Sequence, residues 1–400
     1  MNSIVNRLGR YFLFCGLALA FTAPVHGVQA RGIQVLHSFK GHLSGDGESP
    51  WAALTEDSAG NLYGTTLGGG ANDLGTVFKV APDGTETVLY SFCSQTNCSD
   101  GYGLYAGLIL DKAGNLYGAA TNGGVTQGLG TVFKLAPDGI ETVLHAFTGG
   151  PDDGNNPYGG VILGKRGILY GTTNSGGSYE LGTIFELAPN GTEIILHSFA
   201  GSQNNDGEGS LGNLTLDKDG NIFGTTALGG DINCRCGTVF RLRPDGYAVL
   251  HSFTDSPSDG SSPEAGLIMD KAGNLYGTTI AGGANNFGTV FRLAPDDSFT
   301  VLYSFCSQIS CSDGDEPTSA LVMDKAGNLY GTTSGGGASG SGTVFKLAPN
   351  GTETTLHSLS DARDGVQPLG GLILGKHGNL YGTASSGGAY DFGTVFGLKK

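Results

Sequence analysis

Tryptophan is almost missing from this chain: Trp51 is the only one in 400 residues, and methionine occurs three times. Charge is sparse as well. Charged residues make up 14% of the chain, and 21 Lys and Arg stand against 36 Asp and Glu, for a net charge of −15. A surface of that sign repels phosphate backbones and anionic bilayers, so neither nucleic acid nor membrane is expected as a partner. After residue 30 there is no long run with apolar residues at helical spacing. That excludes a helical bundle and a helical membrane span in that region. Catalytic signatures are missing too. There is no G-x-S-x-G elbow, no H-E-x-x-H pair and no phosphate loop. The arginines after residue 30 are few and scattered, so a sialidase-type cluster is not expected, and one Trp cannot supply the repeated Trp signature of quinoprotein dehydrogenases.

Glycine, by contrast, is plentiful at 72 residues, with no collagen-like period of three. Much of it belongs to a repeat. "GNLYGTT" at 60–66 returns in near-copy at 114–120, 167–173, 220–226, 273–279, 327–333 and 378–384. "GTVF" or "GTIF" begins at Gly75, Gly130, Gly182, Gly237, Gly288, Gly342 and Gly393. A "VLHSF" marker places Leu at 36, 89, 144, 196, 250, 302 and 356, and successive markers are 51 to 55 residues apart. A catalytic motif is needed once, whereas a motif in every unit builds the scaffold.

Each unit reads as four short strands. In the second these are 106–111 (a), 115–120 (b), 130–136 (c) and 142–147 (d), with tight Gly-containing turns from a to b and from c to d. Four strands per fixed period is the signature of propeller blades. The expected fold is therefore an all-β, seven-bladed β-propeller. The segment 33–39 is a lone strand d and 393–400 a lone strand c, so the N-terminal strand should complete the last blade and close the ring. A β-solenoid is the runner-up.

The first 30 residues differ. Arg7 and Arg10 precede an apolar core of about a dozen residues, and "VQA" at 28–30 offers small residues before a cut after Ala30. This pattern predicts a signal peptide, residues 31–400 as one mature propeller domain, and export to the periplasm or the extracellular space. An uncleaved anchor, and Cys15 as a lipid acceptor, are the alternatives. Removal of this segment would take the net charge from −15 to −17. Six cysteines then remain in local pairs, Cys93 with Cys98, Cys306 with Cys311 and Cys234 with Cys236. An even count in close pairs suits disulfides in an oxidising compartment. The Cys234–Cys236 ring is tight enough to be either a labile disulfide or two free thiols.

The combination "AGLILDKAGNLYG", "GTVFKLAPDGTETVLHSF" and Asp-Gly loops resembles the GloVer (Gloeo/Verruco) choice-of-anchor tandem-repeat family, and the likeness runs through residues 33–400. The resemblance implies an exported bacterial protein of propeller type and supplies no catalytic residues. Family members carry a C-terminal sorting segment. Here the sequence stops at Lys400 after strand c, so anchoring of that kind is not expected.

The b–c loops vary most between units, and variable loops on a rigid scaffold are where binding resides. Tyr179, Asn286, Phe287, Tyr390 and Asp391 lie in them and could stack on sugar rings or bond hydroxyls; packing between loops is the alternative. The d–a loops hold an Asp-Gly pair in every unit, closed by Pro in five. These read as Asx turns. Calcium is the sharper alternative where oxygen donors crowd, at Asp152 and Asp153 and at Asp313, Asp315 and Glu316. No other cofactor is expected. Five histidines, His37, His145, His197, His251 and His357, sit in the "VLHSF" marker on outer strands, with Tyr90 and Tyr303 in that place in the other two units, and they read as structural.

A monomeric, non-catalytic binding or scaffolding module with a glycan or protein ligand is the leading function. A calcium-assisted polysaccharide lyase or hydrolase is the enzymatic alternative, and a purely structural envelope protein is the third.

Overall fold

The computed structural model describes residues 32–125 and 128–399. The expected signal peptide, including Cys15, lies outside the described residues. Among them the chain forms seven four-stranded antiparallel sheets. Blade 1 consists of strands a (Thr55–Glu56), b (Leu62–Thr66), c (Thr76–Val80) and d (Glu86–Ser91). Blades 2 to 6 repeat that order across 109–146, 162–198, 215–252, 268–304 and 322–358. Blade 7 takes a, b and c from Leu372–Leu374, Leu380–Ala384 and Thr394–Leu398, and d from Ile33–Ser38. The N-terminal strand therefore closes the ring, as the sequence predicts.

Every residue of the repeated heptapeptide from Asn61 onward has a task. In blade 1, Asp57 Oδ1 accepts the backbone N–H of Ala59 and Asn61, and Oδ2 accepts Asn61 Nδ2 and Tyr63 OH, which locks the a–b hairpin. Leu62 enters the core. Gly64 leaves room for a ring: a Cβ there would lie 2.6 Å from Phe78 Cζ and 2.9 Å from Leu54 Cδ2. The close approach thus comes from a phenylalanine of the same sheet. Thr65 Oγ1 donates to the Ala106 carbonyl of blade 2 at 3.1 Å. The same blade-to-blade bond recurs at Thr225, Thr278, Thr332 and Thr383. Thr66 Oγ1 pairs with Thr76 Oγ1 inside the blade at 2.8 Å.

The apolar core lies between blades. Val77 and Phe92 of blade 1 pack with Leu108, Leu116 and Phe133 of blade 2, and the pattern continues around the ring. The last Phe of each "VLHSF" marker meets the Phe of the next blade's "GTVF" edge to face, as Phe39 meets Phe78 at 5.0 Å and Phe305 meets Phe345 at 5.0 Å. At the junction of blades 6 and 7, Leu359 takes the place of that ring. Each such fully buried ring contributes roughly 2–3 kcal/mol, so the ring of interfaces dominates stability.

Strand d carries a bulge in all seven blades. In blade 1 the register moves from Val77↔Tyr90 to Phe78↔Val88, which leaves Leu89 unpaired, and the marker Leu occupies that position in the other six. The extra residue re-aims the side chain that follows it, His or Tyr, toward the d–a loop.

Candidate functional site

The d–a loops are built on their invariant Asp-Gly. Asp206 Oδ2 accepts His197 Nε2 at 2.9 Å and Ala200 N–H at 2.9 Å, while Oδ1 accepts Gly207 N–H at 2.6 Å. His37 with Asp46, His145 with Asp153, His251 with Asp259 and His357 with Asp364 repeat this pairing. In blades 1 and 5 the partner is a phenol, with Tyr90 OH donating to Asp100 Oδ2 and Tyr303 OH to Asp313 Oδ2. These two loops also carry the disulfides Cys93–Cys98 and Cys306–Cys311. Their Asp sits ten residues after the aromatic, against seven to nine in the histidine blades, so the longer loop goes with the longer side chain. Burial opposes ionisation of Asp153, Asp206, Asp259, Asp313 and Asp364. The bonds from His or Tyr and from backbone N–H outweigh it and hold these carboxyls below their usual range.

The loop then delivers one residue to the axis. Three residues after the Asp the backbone turns left-handed: Ser49, Asn156, Ser262, Glu316 and Gln367 all have φ between 52° and 55°. Glycine, Gly103 or Gly209, takes that position in blades 2 and 4. The N–H of this residue bonds the previous blade, as Ser49 does to Phe392 O and Glu316 to Phe287 O, both at 3.0 Å. In five blades proline follows and fixes the next φ. The residue five after the Asp then faces the centre: Trp51, Tyr105, Tyr158, Leu211, Glu264, Thr318 and Leu369. Together with Asn174 they line one cavity of about 490 Å³. Only the central axis can bring one equivalent residue from each of seven blades together. Strands a and b are antiparallel, and Gly47–Glu48 of the d–a loop pairs with Gly68–Gly69 of the b–c loop, so this mouth opens on the face of the variable b–c loops.

Here the sevenfold repeat breaks. Trp51 meets Tyr105 edge to face at 5.4 Å, and Tyr105 meets Tyr158 at 5.0 Å, giving an aromatic arc over three blades. Blades 5 and 6 present Glu264 and Thr318 instead. Among the described residues, no Lys, Arg or His lines the cavity. Burial raises the Glu264 carboxyl, and the nearby Glu316 charge raises it further. Burial, with Tyr158 adjacent, also raises the Tyr105 phenol.

The residues expected from the loops are dispersed. Tyr179, Phe287 and Tyr390 are exposed on blades 3, 5 and 7, with no ring contact joining any two of them, and none lines the axial cavity. Asn286 Oδ1 accepts Gly282 N–H within its own loop at 3.1 Å. Asp391 adopts φ 69° in its turn. Lys40 Nζ lies 5.8 Å from the Tyr390 ring centre. In the loop of blade 4, Cys234 and Cys236 are disulfide-bonded, and Arg235 Nε donates to the buried Glu208 carboxylate at 2.8 Å.

Of the expected calcium ligands, Asp153 accepts His145 Nε2, Thr148 N–H, Thr148 Oγ1 and Gly154 N–H. Asp313 likewise accepts four donors, from Tyr303, Ser307 and Gln308. Asp152 is exposed, and Asp315 is raised by burial and by Glu316 and Asp313. Two further groups, His37–Asp46–Glu86 and His145–Asp153–Glu193, bring potential ligand atoms within 4.8 Å of one another. Each adds the first residue of the next blade's strand d to the His–Asp pair.

The axial residues escape a reading by loop variability because they lie just before strand a, in a stretch that looks like scaffold. The signal that finds them is their constant offset of five from the Asp-Gly aspartate.

No curated protein matches the sequence. Among solved structures, the chain is similar to a streptogramin B lyase at 14% identity, with a TM-score of 0.62 over 92% of this chain and 97% of that one. It is similar to virginiamycin B lyase from Staphylococcus aureus at 13% identity, with a TM-score of 0.58 over 92% and 99%. At such identities the likeness shows the fold. The sequence pattern of the Gloeobacter/Verrucomicrobia repeat matches residues 25–235 and 210–400, and the chain belongs to that family.

Proposed function

We propose that this protein is an exported β-propeller that binds a saccharide at the axial mouth. The carrying observation is the Trp51–Tyr105–Tyr158 arc on one side of a cavity whose remaining lining holds Glu264, Thr318 and Asn174 beside Leu211 and Leu369. Flat aromatic faces give sugar rings apolar contact, and Glu264, Thr318 and Asn174 offer hydrogen-bond partners to hydroxyls. A cavity of about 490 Å³ is within the usual range of small-ligand sites. Export is supported by the N-terminal pattern of residues 1–30 and by three disulfides. The solved relatives are named as lyases, but among the described residues Glu264 is the one carboxyl that lines the mouth, with no His or Lys in that lining to share proton transfer. That favours binding over turnover.

Trp51 is the sole tryptophan, so its fluorescence reports directly on the mouth. Titration of residues 31–400 with a panel of neutral and charged oligosaccharides should give a saturable change in that emission. Calorimetry should show that Trp51→Ala and Tyr105→Ala weaken binding by about tenfold or more, as expected when one stacking face is lost. A flat titration across the panel rejects the reading.

A further inference from the structure

We infer that the saccharide held at the axial mouth carries a protonated amine, an amino sugar with its nitrogen unacetylated, which seats against Glu264 while its ring stacks on Trp51 and Tyr105. The inference rests on the saccharide-binding reading above.

Three observations carry it. First, Glu264 is half-buried in a cavity with no cation in its lining, and no protein hydrogen bond to its carboxylate exists among the described residues. Second, the charge that acts on it is another acid, Glu316, which adds negative potential instead of relieving it. Other carboxylates of these loops are met by donors, Asp46 by His37, Asp206 by His197 and Glu208 by Arg235. Glu264 has no such donor, and it lies at the one place where all seven blades converge. Third, the opposite wall is aromatic. A cation flanked by ring faces and a carboxylate gains both cation–π attraction and a charge-assisted hydrogen bond. A neutral sugar would use the rings and leave the carboxylate without its matching charge.

The exposed Tyr179, Phe287 and Tyr390 carry no comparable case, since nothing convergent faces them. The His–Asp–Glu groups at the rim belong to the loop scaffold, where each aspartate is already saturated by donors.

The test compares three ligands of equal length on residues 31–400 by Trp51 fluorescence and calorimetry: a glucosamine oligomer, its N-acetylated counterpart, and a glucose oligomer of the same linkage. The glucosamine oligomer should bind about tenfold or more tighter than the other two. Glu264→Gln should erase that preference, bringing the glucosamine oligomer down to the affinity of the other two, and Trp51→Ala should weaken all three. Thermal unfolding of both variants should match the parent, since both side chains border the open cavity. Equal affinity for the aminated and acetylated forms, or an amine preference that survives Glu264→Gln, overturns the assignment of a cationic ligand and leaves the saccharide site standing. Failure of all three to bind, or binding indifferent to Trp51→Ala, overturns the saccharide reading and this inference with it.

Discussion

His197 Nε2 lies 2.9 Å from Asp206 Oδ2, and the same carboxylate receives the N–H groups of Ala200 and Gly207. One aspartate thus ties strand d of blade 3 to the loop that reaches the axis. Seven copies of this arrangement, five with His and two with Tyr, explain why the marker histidines sit on separate blades and never converge. They also make the axial mouth a product of the outer rim, because the same loop runs from the His–Asp bond to the left-handed residue and on to Leu211.

Removing such a carboxylate should cost more than removing the aromatic donor that reaches it. Asp206→Ala strips the acceptor from three donors, two of them backbone groups, and should destabilise the fold by roughly 3 kcal/mol. Tyr90→Phe removes one of several donors to Asp100 and should cost only about 1 kcal/mol. Urea unfolding of the two variants gives the comparison. Equal losses would mean that the loop backbone does not depend on the carboxylate.

Stability should fall as pH rises toward neutrality. Glu86, Glu141, Glu193 and Glu353 begin strand d in blades 1, 2, 3 and 6. Burial and the aspartate of the preceding blade push each of them up to about 7 from 4.5. Their folded pKa is raised, so the proton-bound form belongs to the native state. The contribution is whole below 4.5 and is lost as pH climbs through about 7. Asp153, Asp206, Asp259, Asp313 and Asp364 act in the opposite sense. Their pKa is lowered from 3.8, so their contribution is present above 3.8 and is lost as pH falls through the folded value. The melting temperature should therefore peak in mildly acidic buffer and decline toward pH 7, and Glu86→Gln combined with Glu193→Gln should flatten the decline. A melting temperature that rises between 4.5 and 7 contradicts this assignment.

Two glycines separate steric need from backbone need. At Gly64 an added Cβ would press on Phe78 Cζ at 2.6 Å and Leu54 Cδ2 at 2.9 Å, so Gly64→Ala should cost roughly 2–3 kcal/mol or more through displacement of a core ring. Gly378 has φ 79° with open space around it, so Gly378→Ala meets only left-handed strain, about 1–2 kcal/mol. Differential scanning calorimetry should rank the pair in that order.

The blades were legible because their period is written into the chain by motifs that fold locally. Asp57 through Asn61 make a hairpin from their own hydrogen bonds, and the "GTVF" and "VLHSF" markers place apolar residues with the alternation a strand requires. Ring closure followed from two unpaired strands at the ends of the repeat. The site was less legible for a physical reason. Trp51, Tyr105 and Glu264 are separated by 54 and 159 positions and become neighbours only through sevenfold closure. Variation in the b–c loops drew attention to exposed residues such as Tyr179, which the fold leaves on separate blades. The partner of the marker histidines was hidden similarly, because the bulge at Leu196 that turns His197 toward Asp206 has no sequence signature apart from the repeat itself.

Closure by the N-terminal strand can be tested by its removal. Ile33–Ser38 pairs with Thr394–Leu398 from Ile33↔Leu398 to Ser38↔Thr394, and Phe39 behind it is fully buried against Phe78 of blade 1. The strand therefore contributes to two interfaces at once. Without it, blade 7 keeps three strands with an open edge on strand c, and blade 1 loses the ring that packs on Phe78. Buried Phe39 alone is worth roughly 3 kcal/mol, and an unpaired strand edge invites intermolecular pairing. A chain beginning at residue 41 should melt well below the parent and associate in solution, as read by calorimetry and light scattering. Addition of a peptide spanning residues 31–40 should restore the monomer and part of the lost stability by pairing with strand c of blade 7. If the shortened chain stays monomeric and melts with the parent, closure is carried by the contacts between blades 7 and 1, such as Thr383 Oγ1 donating to Ala52 O, and the strand only caps the outer edge.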